Sequence, residues 1–177
     1  YTANPEIDVY RNTAALPRAL LVTRAQVVDD HAAAWQAIHA PDFDPRGTVI
    51  LERGQVGDRR FGIGDAGSQV GGGHVSFVRY GLNEVELAVH TPVSGWLVLS
   101  DVYYPGWRAE VDGAPAEVLR ADYVFRAVPL PPGEHTVRMV FSPWTWRVGL
   151  AVSVVTWMGL GIWAGVGFKN RLQRLRP

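Results

Sequence analysis

Between Val148 and Phe168 the chain reads VGLAVSVVTWMGLGIWAGVGF, about 21 residues without one charge. As a helix rising about 1.5 Å per residue, this run is about 31 Å long, the thickness of a bilayer's hydrocarbon core. A buried core helix normally keeps a polar face, and here only Ser153 and Thr156 interrupt the apolar surface. The run therefore reads as a transmembrane helix. Trp144 and Trp146 precede it, where indole rings suit one membrane interface. Lys169 and Arg171 follow it and mark the other interface, with Arg174 and Arg176 beyond. Positive residues concentrate on the cytoplasmic side of membrane helices, which puts the tail in the cytoplasm and everything before Trp144 outside. Gly161 and Gly165 have the small-xxx-small spacing that lets membrane helices pack closely.

Upstream, the pattern is of short strands. RALLVTRAQVV is apolar and β-branched enough for one strand; DDHAAAWQAIHA follows as a short helix with Asp29 or Asp30 as N-cap; TVILE resumes as a strand. From Val56 to Gly73 the glycine content rises and apolar content falls, which reads as a loop between two parts of the domain. Its bare amides do not make a phosphate loop, because no Lys-Ser/Thr ends it. Past it, Val85, Leu87 and Val89 alternate with Glu84, Glu86 and His90, as in a sheet with one wet face. GWLVLSDV is apolar on both faces and so central. WRAEVDG, AEVLRA, YVFRAVPL and EHTVRMVF complete the set. The fold expected is mainly β: an antiparallel sandwich or jelly roll with a short helix, then one transmembrane helix. Its parts are a strand-helix-strand portion at 1–55, the glycine-rich loop at 56–73, the sandwich portion at 74–143, the membrane helix at 144–170 and a basic tail at 171–177.

Composition removes several kinds of chemistry. Lys+Arg 17 balances Asp+Glu 17, which gives a nucleic-acid partner no electrostatic footing. There is no Cys, hence no disulfide, thiolate zinc site or cysteine nucleophile. The five histidines show no metal-ligand spacing and read as solvated surface residues, and no serine-nucleophile motif occurs. No residue is assigned a catalytic or metal-binding role. The chain opens at Tyr1 with neither Met nor a leader, as a piece of a longer or processed protein does.

The stretch SDVYYPGWRAEVDG, residues 100–113, carries the densest chemistry. In one reading Tyr103, Tyr104 and Trp107 stack on a sugar or a partner while Asp101 accepts from hydroxyls. In the other, favoured by the inward phase of Trp107, the tryptophan plugs the core, the tyrosines cover a corner, and Pro105-Gly106 and Asp112-Gly113 make turns.

LPRALLV, FDPRGTVILE, LVLSDVYYPGWRAEVDG and VLRADYVFRAVPLPPGEHTVRMVF, with the closing apolar helix, resemble in that order the C-terminal region of the YfhO family of bacterial integral membrane proteins. The block from Leu97 to Phe141 is the most specific part. The resemblance implies a polytopic membrane protein similar to C-type glycosyltransferases, which move sugars from polyprenyl-phosphate donors to cell-envelope glycopolymers outside the cell. It implies that the catalytic acid lies in a loop between early membrane helices, so this piece inherits no catalytic residue and holds no cofactor. Its partners would be the bilayer, the N-terminal transmembrane domain of the same polypeptide and the glycopolymer. The alternative is a surface module that binds carbohydrate or protein, held by a C-terminal anchor with no enzyme attached; LPLPPGEHT lacks the Leu-Pro-x-Thr-Gly sorting motif such anchors use.

Overall fold

A computed structural model describes residues 12–56 and 73–174, with side chains described as far as Trp163. The element order is β1 (Ala19–Val22), β2 (Arg24–Val28), α1 (His31–Ile38), β3 (Thr48–Glu52), α2 (Arg53–Val56), β4 (His74–Tyr80), β5 (Glu84–Thr91), β6 (Gly95–Leu99), β7 (Trp107–Val111), β8 (Ala114–Ala116), β9 (Leu119–Ala121), β10 (Phe125–Leu130), β11 (Gly133–Phe141) and α3 (Trp144–Arg174). The strands form two sheets, ordered β1-β6-β10-β9-β3-β2 and β4-β5-β11-β7-β8. The protein is mainly β, with a short helix and a closing apolar helix, as the strand patterns require.

Alternation of side chains explains how the sheets stack. In β6, Leu97 and Leu99 face the five-stranded sheet and join Val85, Leu87, Val89, Val137 and Met139 in one core. Trp96 and Val98 point the other way into a second core with Val22, Val49, Leu51, Leu119 and Ala127. A strand apolar on both faces is thus central, paired with β1 on one side and β10 on the other. In β5, Val85, Leu87 and Val89 are buried, as their period of two predicts.

The expected first strand, RALLVTRAQVV, is two strands. β1 and β2 are separated only by Thr23, yet they lie at opposite edges of the six-stranded order. In a flat sheet, five inter-strand steps of ~4.8 Å would hold them about 24 Å apart, whereas two Cα steps reach about 7.6 Å. The sheet therefore rolls round on itself, and the second core fills the roll. Gly95 sits at this corner: a Cβ there would lie 2.8 Å from the Val22 carbonyl oxygen.

Other differences follow from the same rolling. β2 pairs with β3 in parallel, so the sandwich is not wholly antiparallel, and α1 makes the crossover such a pair needs. Asp30 caps that helix by accepting from the Ala33 amide at 2.8 Å. Val56, read as the start of the loop, closes the one-turn α2 and is buried in the second core. The rest of that loop, 57–72, lies outside the described residues. Residues 19–56 share a sheet with β6, β9 and β10, so they and the later strands build one body.

Asp112 and Gly113 both have positive φ, 54° and 79°, the pairing expected of a two-residue hairpin turn between β7 and β8. The Asp112 carboxylate accepts from the Thr136 amide at 2.8 Å and meets His135 Nδ1 at 2.7 Å. The hydrogen bond from His135 holds the Asp112 carboxyl below its usual value, and Asp112 in turn raises the imidazole.

α3 is helical through Arg174, past the boundary at 170 suggested by charge. Its stretch Trp144–Trp163 is apolar and long enough to cross a bilayer, and none of it is buried against the rest of the protein. The hydroxyls of Ser153 and Thr156 donate to the carbonyls of Gly149 and Val152, both at 2.9 Å, so these two polar side chains are satisfied within the helix itself. A Cβ at Gly161 would meet nothing within 4 Å, and the side-chain surroundings of Gly165, Lys169 and Arg171 lie outside the described residues.

Gly95→Ala is expected to lower stability by about 1–3 kcal/mol through the forced opening of the corner, while Gly54→Ala, with nothing within 4 Å of the new methyl, is expected to stay within about 0.5 kcal/mol. Denaturant unfolding of the two variants in detergent checks the difference.

Candidate functional site

The loop from Ser100 to Gly106 crosses the end of the sandwich from which α3 departs. β11 ends at Phe141, whose amide donates to Asn83 O at 2.9 Å, and the next amide, Ser142, donates to Gly106 O at 2.8 Å. Gly106 has φ 121°, and a Cβ there would lie within 3.1 Å of Pro143 and the Phe141 ring. Only glycine fits both the backbone and the space.

Beside this joint is a cleft of about 390 Å³ lined by Tyr80, Gly81, Leu82, Val85, Asp101, Trp107 and Arg126. Its centre is an ion pair. Arg126 continues the inward phase of Val128 and Leu130 in β10, which carries a guanidinium to the edge of the core, where its side chain is only 3% exposed. Nη2 donates to Asp101 Oδ2 at 2.8 Å, and the guanidinium lies 3.9 Å over the Trp107 ring, a cation-π contact. Burial pulls the Arg126 pKa below its ordinary value, and the Asp101 charge opposes that. Nε and Nη1 of Arg126 find no partner among the described residues. Asp101 also accepts from the Tyr80 hydroxyl at 3.1 and 3.2 Å and faces Arg18 Nε at 3.6 Å. Arg18 in turn lies 4.8 Å over the Tyr80 ring.

The four residues singled out from SDVYYPGWRAEVDG thus have different neighbours. Asp101 and Trp107 line the cleft and are joined through Arg126. Tyr103 is half-buried, its amide bonded to Val124 O at 2.7 Å and its ring 5.3 Å under Arg120. Tyr104 is exposed, with its ring 6.1 Å from that of Phe141. Sequence reasoning missed Arg18, Tyr80 and Arg126. The signal for Arg126 was present: an arginine in the inward phase of YVFRAVPL requires a buried partner.

A second cluster lies on α1. The His31 ring stacks on Tyr123 at 3.9 Å, and Tyr123 meets the half-exposed Trp35 at 5.0 Å. His31 Nδ1 is 2.9 Å from Glu52 and 3.3 Å from Arg120 Nη1. An open groove of about 540 Å³ runs between His31, Ala32, Trp35, Gln36 and Tyr123. Asp122 and Tyr123 hold φ of 45° and 73°, costly for non-glycine residues. The turn is fixed by Asp122, whose carboxylate accepts from the Ile50 amide at 2.8 Å and whose own amide donates back to Ile50 O at 2.9 Å. Burial raises the Asp122 pKa to about 6.

The histidines are therefore not simply solvated. His31, His90 and His135 pair with Glu52, Glu134 and Asp112, carboxylates that cross-strand register or packing brings close and short-range spacing does not reveal. Among the described residues no three His, Asp or Glu side chains converge on one point.

Residues 70–153 match the family model for the bacterial membrane protein YfhO. The matched stretch is YfhO-family sequence. It runs through the five-stranded sheet, β6, β9, β10 and the first turns of α3, just under half of the chain; β1 to β3 of this YfhO-like chain lie outside it. The comparison with curated proteins gives no match, and neither does the comparison with solved structures.

Asp101→Ala is expected to cost about 3–5 kcal/mol, because it strands a buried guanidinium; Asp101→Ala combined with Arg126→Met is expected to recover most of that loss in a double-mutant cycle. At Asp122 the folded-state pKa, about 6, lies above the ordinary aspartate value of 3.8. The folded protein therefore binds that proton more tightly than the unfolded chain, and stability falls as pH rises from about 4 to 6 and is level above it. Asp122→Asn, which keeps the acceptor for Ile50, is expected to gain about 1–3 kcal/mol at pH 7.5 and to flatten this slope, as thermal unfolding across that pH range measures.

Proposed function

We propose that this chain is a non-catalytic extracytoplasmic β-domain, with its membrane helix, of a larger YfhO-like protein that transfers sugars from a polyprenyl-phosphate donor to cell-envelope glycopolymers. The observation that carries the reading is the union of YfhO-family strands with a fully exposed apolar helix through a two-residue joint, Ser142 and Pro143. Such a helix needs lipid or other membrane helices around it. The charge balance across it, with Lys169, Arg171, Arg174 and Arg176 on one side, supports an outward-facing sandwich. In this reading the catalytic acid belongs to other parts of the protein, and the sandwich steadies external loops or holds the acceptor polymer. Asp101 is fully engaged by Tyr80, Arg126 and Arg18, which favours a structural role for it.

A second reading, a tethered module that binds carbohydrate, draws on the half-exposed Trp35 ring beside Tyr123 and the groove they line.

The test is made in the full-length protein in its own cells. The native chain has no Cys in this region, so a cysteine at exposed Glu134 is expected to react in intact cells with a membrane-impermeant maleimide; labelling only after lysis would overturn the orientation. Tyr103→Ala is expected to lower sugar incorporation into the envelope polymer at unchanged protein abundance. Unchanged incorporation removes its contact role, and the same assay on Trp35→Ala weighs the second reading.

A further inference from the structure

Strand register fixes which loops share the end of the sandwich where α3 begins. In β11, Phe141 pairs with Trp107 and Val140 with Glu84, while Tyr80 pairs with Val85. The β4–β5 loop, Gly81 to Asn83, and the Ser100–Gly106 loop therefore lie at the foot of α3, to which the Phe141 and Ser142 amides tie them. That end presents large apolar side chains to solvent: Leu82 is 96% exposed, Val102 66% and Tyr104 61%, in company with Trp144 and Trp146 of α3. The opposite end differs in kind, with Asp112, His135, His90 and Glu134 tied into ion pairs around its turns.

Two loops that fold independently along the sequence thus expose their apolar residues at the one end where the chain enters lipid. Cations accompany them. Arg18 is half-exposed beside the cleft, and Arg147 stands in the first turn of α3. The carboxylates near this rim are matched, Asp101 by Arg126 and Arg18 and Glu84 by Arg79 and Arg138. Apolar tips with guanidinium groups beside them suit the headgroup boundary, where acyl chains begin and phosphates lie within reach.

We infer that this end of the sandwich is a membrane-docking face, with Leu82, Val102 and Tyr104 seated in the interfacial layer of the same bilayer that α3 crosses. The inference rests on the membrane reading of α3 and adds a second, independent contact with lipid. Docking at three points restrains how far the sandwich and the helix together can tilt or turn in the bilayer.

The experiment uses the whole chain in phosphatidylglycerol-containing nanodiscs. Single cysteines at Leu82, Val102, Glu134 and Val155 carry an environment-sensitive fluorophore, and each is titrated with lipid-borne nitroxide and with aqueous iodide. Leu82 and Val102 are mostly exposed, so their replacement leaves the core intact. The expected result is lipid quenching at positions 82 and 102 several-fold stronger than at 134, with blue-shifted emission and weak iodide quenching. Iodide quenching at 82 and 102 equal to that at 134, with 155 still quenched from lipid, would overturn the docking face and leave the membrane helix standing. Protection at 82 and 102 from both quenchers would show a protein cover in place of lipid and overturn the assignment. Loss of lipid quenching at 155 would bring down the membrane reading and the docking face together.

Discussion

The architecture depends on β6 and β10 being apolar on both faces. Each strand separates two cores that share no side chains: Leu97, Leu99, Val128 and Leu130 serve one, and Trp96, Val98 and Ala127 the other. With no polar face to offer water, this pair must be covered twice. The five-stranded sheet supplies one cover. The other is made by the same sheet rolling back on itself through the Thr23 corner, which brings β2, β3 and β9 over the far side. Pro129 fits this plan. Lacking an N–H, it sits in β10 beyond the three residues that pair with β9, so its missing donor breaks no bond on that side.

The buried arginine is a by-product of the same geometry. Where β10 begins, the inward phase reaches the margin of the first core, and Arg126 occupies a position that deeper in the strand belongs to valine and leucine. Its charge is tolerable there because Asp101 and the face of Trp107 are both within reach. The stretch of tyrosines, tryptophan and aspartate that dominates the sequence is thereby partly explained without a ligand. Trp107 is a platform for the protein's own cation, and Asp101 is a joint between the β4 end, the β10 start and Arg18.

Much of this was legible in the residue pattern. The period of two in β5 and β7, the doubly apolar β6, the Asp112-Gly113 turn and the uncharged stretch of α3 each state one local fact that tertiary structure leaves alone. What the sequence concealed was long-range. Nothing local says that RALLVTRAQVV must break at Thr23, because the break is imposed by a sheet closing on itself. Nor does spacing reveal the pairing of His31 with Glu52 or of His135 with Asp112, which are brought together by strands and a helix packing across the fold. Arg126 was readable in phase, but its partners Asp101 and Trp107 come from the loop after β6 and from the start of β7.

The passage from β11 to α3 has a mechanical consequence. Gly106 lets Pro143 and the Phe141 ring pack flush, and the Ser142 amide is anchored to Gly106 O, so the junction has little slack. Sandwich and rod then turn as one lever whose fulcrum is the joint at Ser142 and Pro143. A slight lean of the rod is passed undiminished to the sandwich and is magnified at the distant hairpins.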